Sequence, residues 1–225
     1  MSGNQRWRGV LLDVDGTLLD SNDAHARSWV DVLAEEGLKV EYERVRRLIG
    51  KGGDKLVPEL TGIDPESDRY QAISDRRAEL FKRAYLPSLR AFPSARELVE
   101  RMRDAGLSLT VATSARSEEA DALLEIGGLA DLLVRRTSAD DAEESKPDPD
   151  IVQAALKRAR LAAERAVMLG DTPYDVEAAT RAGVAIIAVR CGGWDDASLE
   201  GALAIYDDPA DLLARWDESP LASAR

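Results

Sequence analysis

The sequence predicts an α/β fold: a doubly wound parallel sheet with an all-helical insert after its first strand. Three observations carry that prediction. Between residues 107 and 189, short apolar runs alternate with stretches of helical character, which implies βαβ crossovers and a parallel sheet covered on both faces. Residues 22–84, by contrast, hold no convincing strand. That helical stretch separates the first apolar run, Val10-Leu11-Leu12, from all the others, so the insert follows the first strand directly. In open sheets of this kind, sites form beyond the carboxyl ends of the strands. An insert entering there covers that edge as a lid. The expected division is a core of residues 1–20 and 90–225 and a cap of residues 21–89.

Each element has a local reason. The first strand ends where Asp13 begins a polar turn. Cap helices are expected over residues 23–36, 41–49, 53–61 and 66–84, broken at Gly37, Gly50, Gly52-Gly53 and Gly62 to Pro65. Pro87 and Pro93 bracket a connector, and residues 94–105 read as an amphipathic helix stopped by Gly106. A strand at 107–112, a helix at 117–126, a short strand at 132–134 and a helix at 149–158 follow. The pattern then gives a strand at 166–169, a helix at 173–182 and a strand at 185–189. No internal repeat or low-complexity tract interrupts it.

Composition narrows the function classes. A formal net charge of −12 disfavours nucleic acid and anionic membrane as partners. An anionic substrate must then be drawn in by local cations and a metal. Cys191 is the only cysteine, so no intramolecular disulfide forms and a reducing compartment is expected. Residues 1–8 are polar with no leader-like apolar segment, and no apolar run approaches membrane-spanning length. The expectation is a cytoplasmic protein, monomeric or homodimeric, with no membrane partner.

Four strand ends carry polar chemistry. Asp13 and Asp15 stand i, i+2 on extended backbone and so share a face, while Gly16 permits a sharp turn. Two carboxylates held that close need a cation, a shared proton or donated hydrogen bonds. After the 107–112 strand come Thr113 and Ser114. Ser117, backed by Glu118 and Glu119, is the better candidate to cap the next helix, which leaves the two earlier hydroxyls free. Pro147 holds Lys146 in extended backbone, and Asp148-Pro149 reads as N-cap and first helical position. Thr172 and Asp175 fit a capping box; Asp171, at the strand terminus before them, has no such structural reason.

These residues resemble, in order, the four motifs of the haloacid dehalogenase-like superfamily: Asp13-Val14-Asp15-Gly16-Thr17, Thr113, Lys146-Pro147 and Gly170-Asp171 through Asp175. The resemblance implies a Rossmann-like core in which Asp13 is the nucleophile and Asp15 the general acid/base. Thr113, with Ser114 beside it, binds the transferring phosphoryl group, Gly16 and Thr17 complete the substrate loop, and Lys146 neutralises charge between Asp13 and the phosphoryl oxygens. Asp13, Asp15, Asp171 and Asp175 form the implied Mg²⁺ site, Asp175 from further out or through water. Four carboxylates and a phosphate dianion carry about six negative charges against three from Mg²⁺ and Lys146. A proton on Asp15, backbone N–H groups and cap cations must meet the difference. Oxygen donors without a His/Cys cluster suit Mg²⁺ rather than zinc.

Asp15 argues against the dehalogenating and phosphonate-cleaving branches, which lack the second Asp. His25 and Trp29 resemble the β-phosphoglucomutase-like branch. Gly170 before Asp171 resembles the phosphatases, and residues 50–53 hold no arginine for a second phosphate. The expected activity is hydrolysis of a small phosphorylated metabolite, of the phosphoglycolate phosphatase-like kind. A phosphomutase is the enzymatic alternative, and a non-catalytic phosphate-dependent binding protein the alternative of another class. In the cap, the Gly50–Asp54 segment reads as a mobile loop presenting Lys51, or else as a plain turn with a solvated lysine. His25 is a substrate-site candidate or a surface helix residue. Trp29 is expected in the cap core, and Arg76, Arg77, Lys82 and Arg83 on a solvated helix face, or one of them reaching the phosphate.

Overall fold

The computed structural model describes residues 7–222. Six parallel strands form one sheet: β1 (Gly9–Leu12), β2 (Ser108–Ala112), β3 (Arg136–Thr137), β4 (Ala166–Gly170), β5 (Ala185–Val189) and β6 (Ala204–Tyr206). Their order is β3-β2-β1-β4-β5-β6, so the chain builds outward to one side of β1 and then crosses to the other. The switch point lies between β1 and β4, where an open sheet leaves a crevice at its carboxyl edge. Register is in phase across the centre, with Leu12 opposite Val111 on one side and Leu169 on the other.

Alternating side chains serve two cores, which is why the central strands read as continuous apolar runs. Val10, Leu12, Val111 and Leu169 belong to one buried cluster, with Leu98 and Met102 of α5 (Ala95–Asp104) and Leu123 of α6 (Ser117–Ile126). Leu11, Met168 and Ile186 belong to the other, with Ile151 and Ala155 of α7 (Asp150–Ala159) and Ala178 of α8 (Pro173–Arg181). A short helix, α9 (Pro209–Ala214), closes the first face through Leu212.

The inserted helices are α1 (Asn22–Glu35), α2 (Tyr42–Arg46), α3 (Gly53–Thr61) and α4 (Asp68–Leu80), the last continuing through a wider turn at Phe81–Tyr85. They pack around their own apolar cluster of Trp29, Val32, Leu33, Val45, Leu56 and Ile73, among others. The chain leaves and returns at one place: Asp20 N–H donates to Arg90 O (3.0 Å) and Phe92 N–H to Leu18 O (2.9 Å). No helix among the described residues is long and apolar enough to cross a membrane.

Four local expectations are corrected. The short strand is Arg136–Thr137, not 132–134: residues 129–133 form a turn that drives Leu129 and Leu133 into the core and leaves Val134 76% exposed. The N-cap of α6 is Arg116 rather than Ser117, whose N–H is instead taken by Asp140 (2.8 Å). Helix α7 begins one residue later than expected, with Pro149 at the cap and Asp148 drawn into ion pairs with Lys55 and Arg181. Arg77 is buried rather than solvated. The 1–6 part of the polar N-terminus lies outside the described residues.

Candidate active site

Because the strands are parallel, Asp13, Thr113 and Asp171 emerge from β1, β2 and β4 on the same edge, two of them flanking the switch point. Asp13 N–H donates to Leu169 O (2.9 Å), which fixes its backbone against β4. Its carboxylate is buried between two donors. Lys146 Nζ lies 2.6 Å from Oδ1, and Thr17 Oγ1 lies 3.1 Å from Oδ2 and 3.0 Å from Asp171 Oδ1. Lys146, 1% exposed, also pairs with Asp175 at 2.7 Å. The Thr172–Asp175 capping box forms as the sequence predicts and turns one Asp175 oxygen to the helix N-terminus while the other faces Lys146.

Asp171 is clamped by backbone. Gly16, at φ +76°, and Gly192 approach so closely that a Cβ on either would lie 2.3 Å or 1.7 Å from Asp171 Oδ2. Only glycine fits there. Asn22 Nδ2 donates to the same oxygen (2.9 Å) and to Gly192 O (3.2 Å).

Asp13, Asp171 and Asp175 each bring an oxygen within 4.8 Å of the others, all three side chains buried. Burial, then neighbouring Asp175 and Asp15, push the Asp13 carboxyl up to about 7 against the pull of Lys146. Burial, with Asp175 and Asp13, likewise raises Asp171 well above the ordinary range. Burial lowers Lys146's proton affinity, but the two carboxylates outweigh it and keep the ammonium charged. Three carboxylates against one lysine leave two uncompensated negative charges among oxygen donors. A divalent, oxygen-preferring ion fits that site. The Asp15 carboxylate is not part of this group.

Asp15 faces the cap instead. Its Oδ1 accepts from Ser21 Oγ (2.5 Å) and lies 2.7 Å from His25 Nε2. Burial raises its carboxyl, yet the His25 imidazole, the Ser21 hydroxyl and Arg77 more than offset that and hold it below the usual range. Arg77 donates to His25 Nδ1, and because guanidinium cannot accept, the imidazole proton sits on Nε2, aimed at Asp15. His25 stacks on Phe81 at 4.3 Å. Thr113 Oγ1 accepts from Ala115 N–H (3.1 Å), and Ser114 Oγ donates to Gly50 O (3.4 Å).

A narrow cavity between cap and core brings together Asp13, Asp15, Thr113, Ser114, His25 and Lys51. The Lys51 ammonium pairs with Glu59 (2.5 Å) over the Tyr174 ring. The Gly50–Asp54 segment is tied to the core, Gly52 N–H donating to Ser145 Oγ (3.1 Å) and that hydroxyl to Asp54 (2.9 Å). Sequence reasoning missed Ser21, Asn22, Arg77 and Glu119. Ser21 stands at the N-cap of α1 but makes no capping bond there; its hydroxyl goes to Asp15 instead.

A model for haloacid dehalogenase-like hydrolases matches residues 10–189. The chain is 32% identical to a phosphoglycolate phosphatase of Rhodospirillum rubrum, covering 91% of this chain and 89% of that one. It is 30% identical to an N-acetylmuramic acid 6-phosphate phosphatase of Pseudomonas putida, covering 92% and 95%. The crystal structure of a hydrolase from Pseudomonas syringae superposes with a TM-score of 0.87 at 31% identity, over 93% of this chain and 98% of that one.

Proposed function

The chain belongs to the haloacid dehalogenase-like hydrolases, and on that premise we propose that it is a Mg²⁺-dependent phosphatase of small phosphorylated metabolites, working through an aspartyl-phosphate on Asp13. The observation that carries the reading is the opposed pair at the end of β1: Asp13 gripped by Lys146 at 2.6 Å, Asp15 held toward the cap by His25 at 2.7 Å.

An Asp13 oxygen attacks phosphorus, the bond to the leaving oxygen breaks, and Asp15 hands that oxygen its proton. The entering phosphate's negative charge raises the proton affinity of Asp15 and so readies it as an acid. After the alcohol leaves, the Asp15 carboxylate takes a proton from water, whose oxygen attacks phosphorus and restores Asp13. Lys146 offsets charge on Asp13 and on the phosphoryl oxygens, and Thr113 and Ser114 line the phosphoryl seat. Asp13, Asp171 and Asp175 would hold Mg²⁺, whose charge would offset that of the transferring group. His25 acts through Asp15. Gly170 before Asp171, and residues 50–53 without arginine, favour hydrolysis over transfer to a second phosphate site. The intact Asp15 has no use in a protein that only binds phosphate.

Phosphate release from p-nitrophenyl phosphate, with and without Mg²⁺, tests the reading. Metal-dependent turnover is expected; none in millimolar Mg²⁺ would overturn it.

A further inference from the structure

The anionic cluster described above relies on cap cations to balance an incoming phosphate, yet each cation lining the cavity already has its own anion. Besides His25, the basic side chains lining it among the described residues are Arg77 and Lys51. Lys51 is paired with Glu59 (2.5 Å). Arg77, buried between the rings of Trp29 (5.2 Å) and Phe81 (4.6 Å), has every guanidinium nitrogen engaged. Nε donates to Ser28 Oγ (3.0 Å), Nη2 to His25, and Nη1 to both oxygens of Glu119 (2.9 and 2.6 Å). Glu119 comes from α6 of the core and Arg77 from α4 of the cap, so the pair spans the cavity wall.

The seat opposite the phosphoryl site is thus rich in acceptors and poor in free cationic donors. Glu119 and the Ser114 hydroxyl offer lone pairs, and Trp29 and Ile49 supply an apolar wall. A second anion placed there would face Glu119 with no cation to meet it, in a site where charge is poorly screened. Alcohol hydroxyls, which donate, find partners.

Resting on the phosphatase reading above, we infer that this cavity selects an uncharged, hydroxyl-bearing leaving group over a carboxylate or second phosphate, and that Glu119, by occupying Arg77, sets that preference.

Matched substrates test it: glycerol 3-phosphate against 3-phosphoglycerate, and 2-hydroxyethyl phosphate against 2-phosphoglycolate, each scored by kcat/KM beside p-nitrophenyl phosphate. The wild-type enzyme is expected to favour the alcohol of each pair by about tenfold or more. Glu119→Gln releases Arg77 and should move both ratios toward the carboxylate by about tenfold, mainly through KM, whereas Glu119→Asp keeps the charge and the wild-type preference. Equal or reversed preference in the wild-type enzyme overturns the inference and needs no variant. So does turnover of p-nitrophenyl phosphate with none on either pair. A folded Glu119→Gln enzyme with unchanged ratios removes Glu119 from the account. No turnover of any substrate, p-nitrophenyl phosphate included, overturns the parent phosphatase reading instead.

Discussion

His25 Nε2 lies 2.7 Å from Asp15 Oδ1, and its other ring nitrogen is occupied by Arg77. A histidine fixed on both sides, stacked on Phe81, orients the carboxyl it touches. His25→Ala should therefore lower kcat about tenfold to a hundredfold on an alkyl phosphate, whose leaving oxygen needs a proton. On p-nitrophenyl phosphate, whose phenolate departs unprotonated, the loss should be smaller. Equal losses on both, from steady-state kinetics, would place His25 in the fold rather than behind Asp15.

Lys146 bridges Asp13 and Asp175 with its ammonium, and it is buried. Lys146→Met leaves both carboxylates without it, an uncompensated burial that costs about 3–5 kcal/mol in comparable pairs. Urea denaturation of the metal-free protein should show that loss. A midpoint within experimental scatter of wild type would mean that water already screens the pair.

Metal linkage should depend on pH in a definite direction. In the metal-free protein the Asp13 carboxyl rises from 3.8 to about 7 on folding, so the folded state holds more protons through that interval. Its stability then falls as pH rises from about 4 toward 7. Mg²⁺ competes with those protons for the same oxygens, so the Tm increase at saturating Mg²⁺ should be larger at pH 8 than at pH 5.5. An increase independent of pH would separate the metal from Asp13. Excess EDTA should abolish turnover.

Gly192 offers a purely steric test of the Asp171 clamp. A methyl group there would meet Asp171 Oδ2 at 1.7 Å, against a side chain already held by Asn22. Gly192→Ala should cost about 1–3 kcal/mol and weaken Mg²⁺ binding, read by thermal denaturation and metal titration. Wild-type metal affinity would show that Asp171 moves freely.

What the sequence made legible was local. Strand ends, glycine breaks and the Thr172–Asp175 capping box are written within a few residues of where they act. What it hid depends on partners far along the chain. Arg77 reads as one of several basic residues on a helix, and its burial follows from Glu119, 42 residues away on the other side of the cavity. The two-residue strand at Arg136–Thr137 carries no apolar signal, because pairing with Val111 and Ala112 defines it, while the leucines before it are spent on packing a turn. Strand β6 and helix α9 escaped notice for a similar reason: each is too short for a period to declare itself.

The proposed reaction depends on Asp13 as nucleophile, and Asp13→Asn removes that nucleophile alone. The amide keeps the size of the side chain and one oxygen but cannot form the acyl phosphate. In saturating Mg²⁺, with folding confirmed by an unchanged far-ultraviolet circular dichroism spectrum, kcat on p-nitrophenyl phosphate should fall about a thousandfold or more. A folded Asp13→Asn protein that turns over at the wild-type rate would contradict the account.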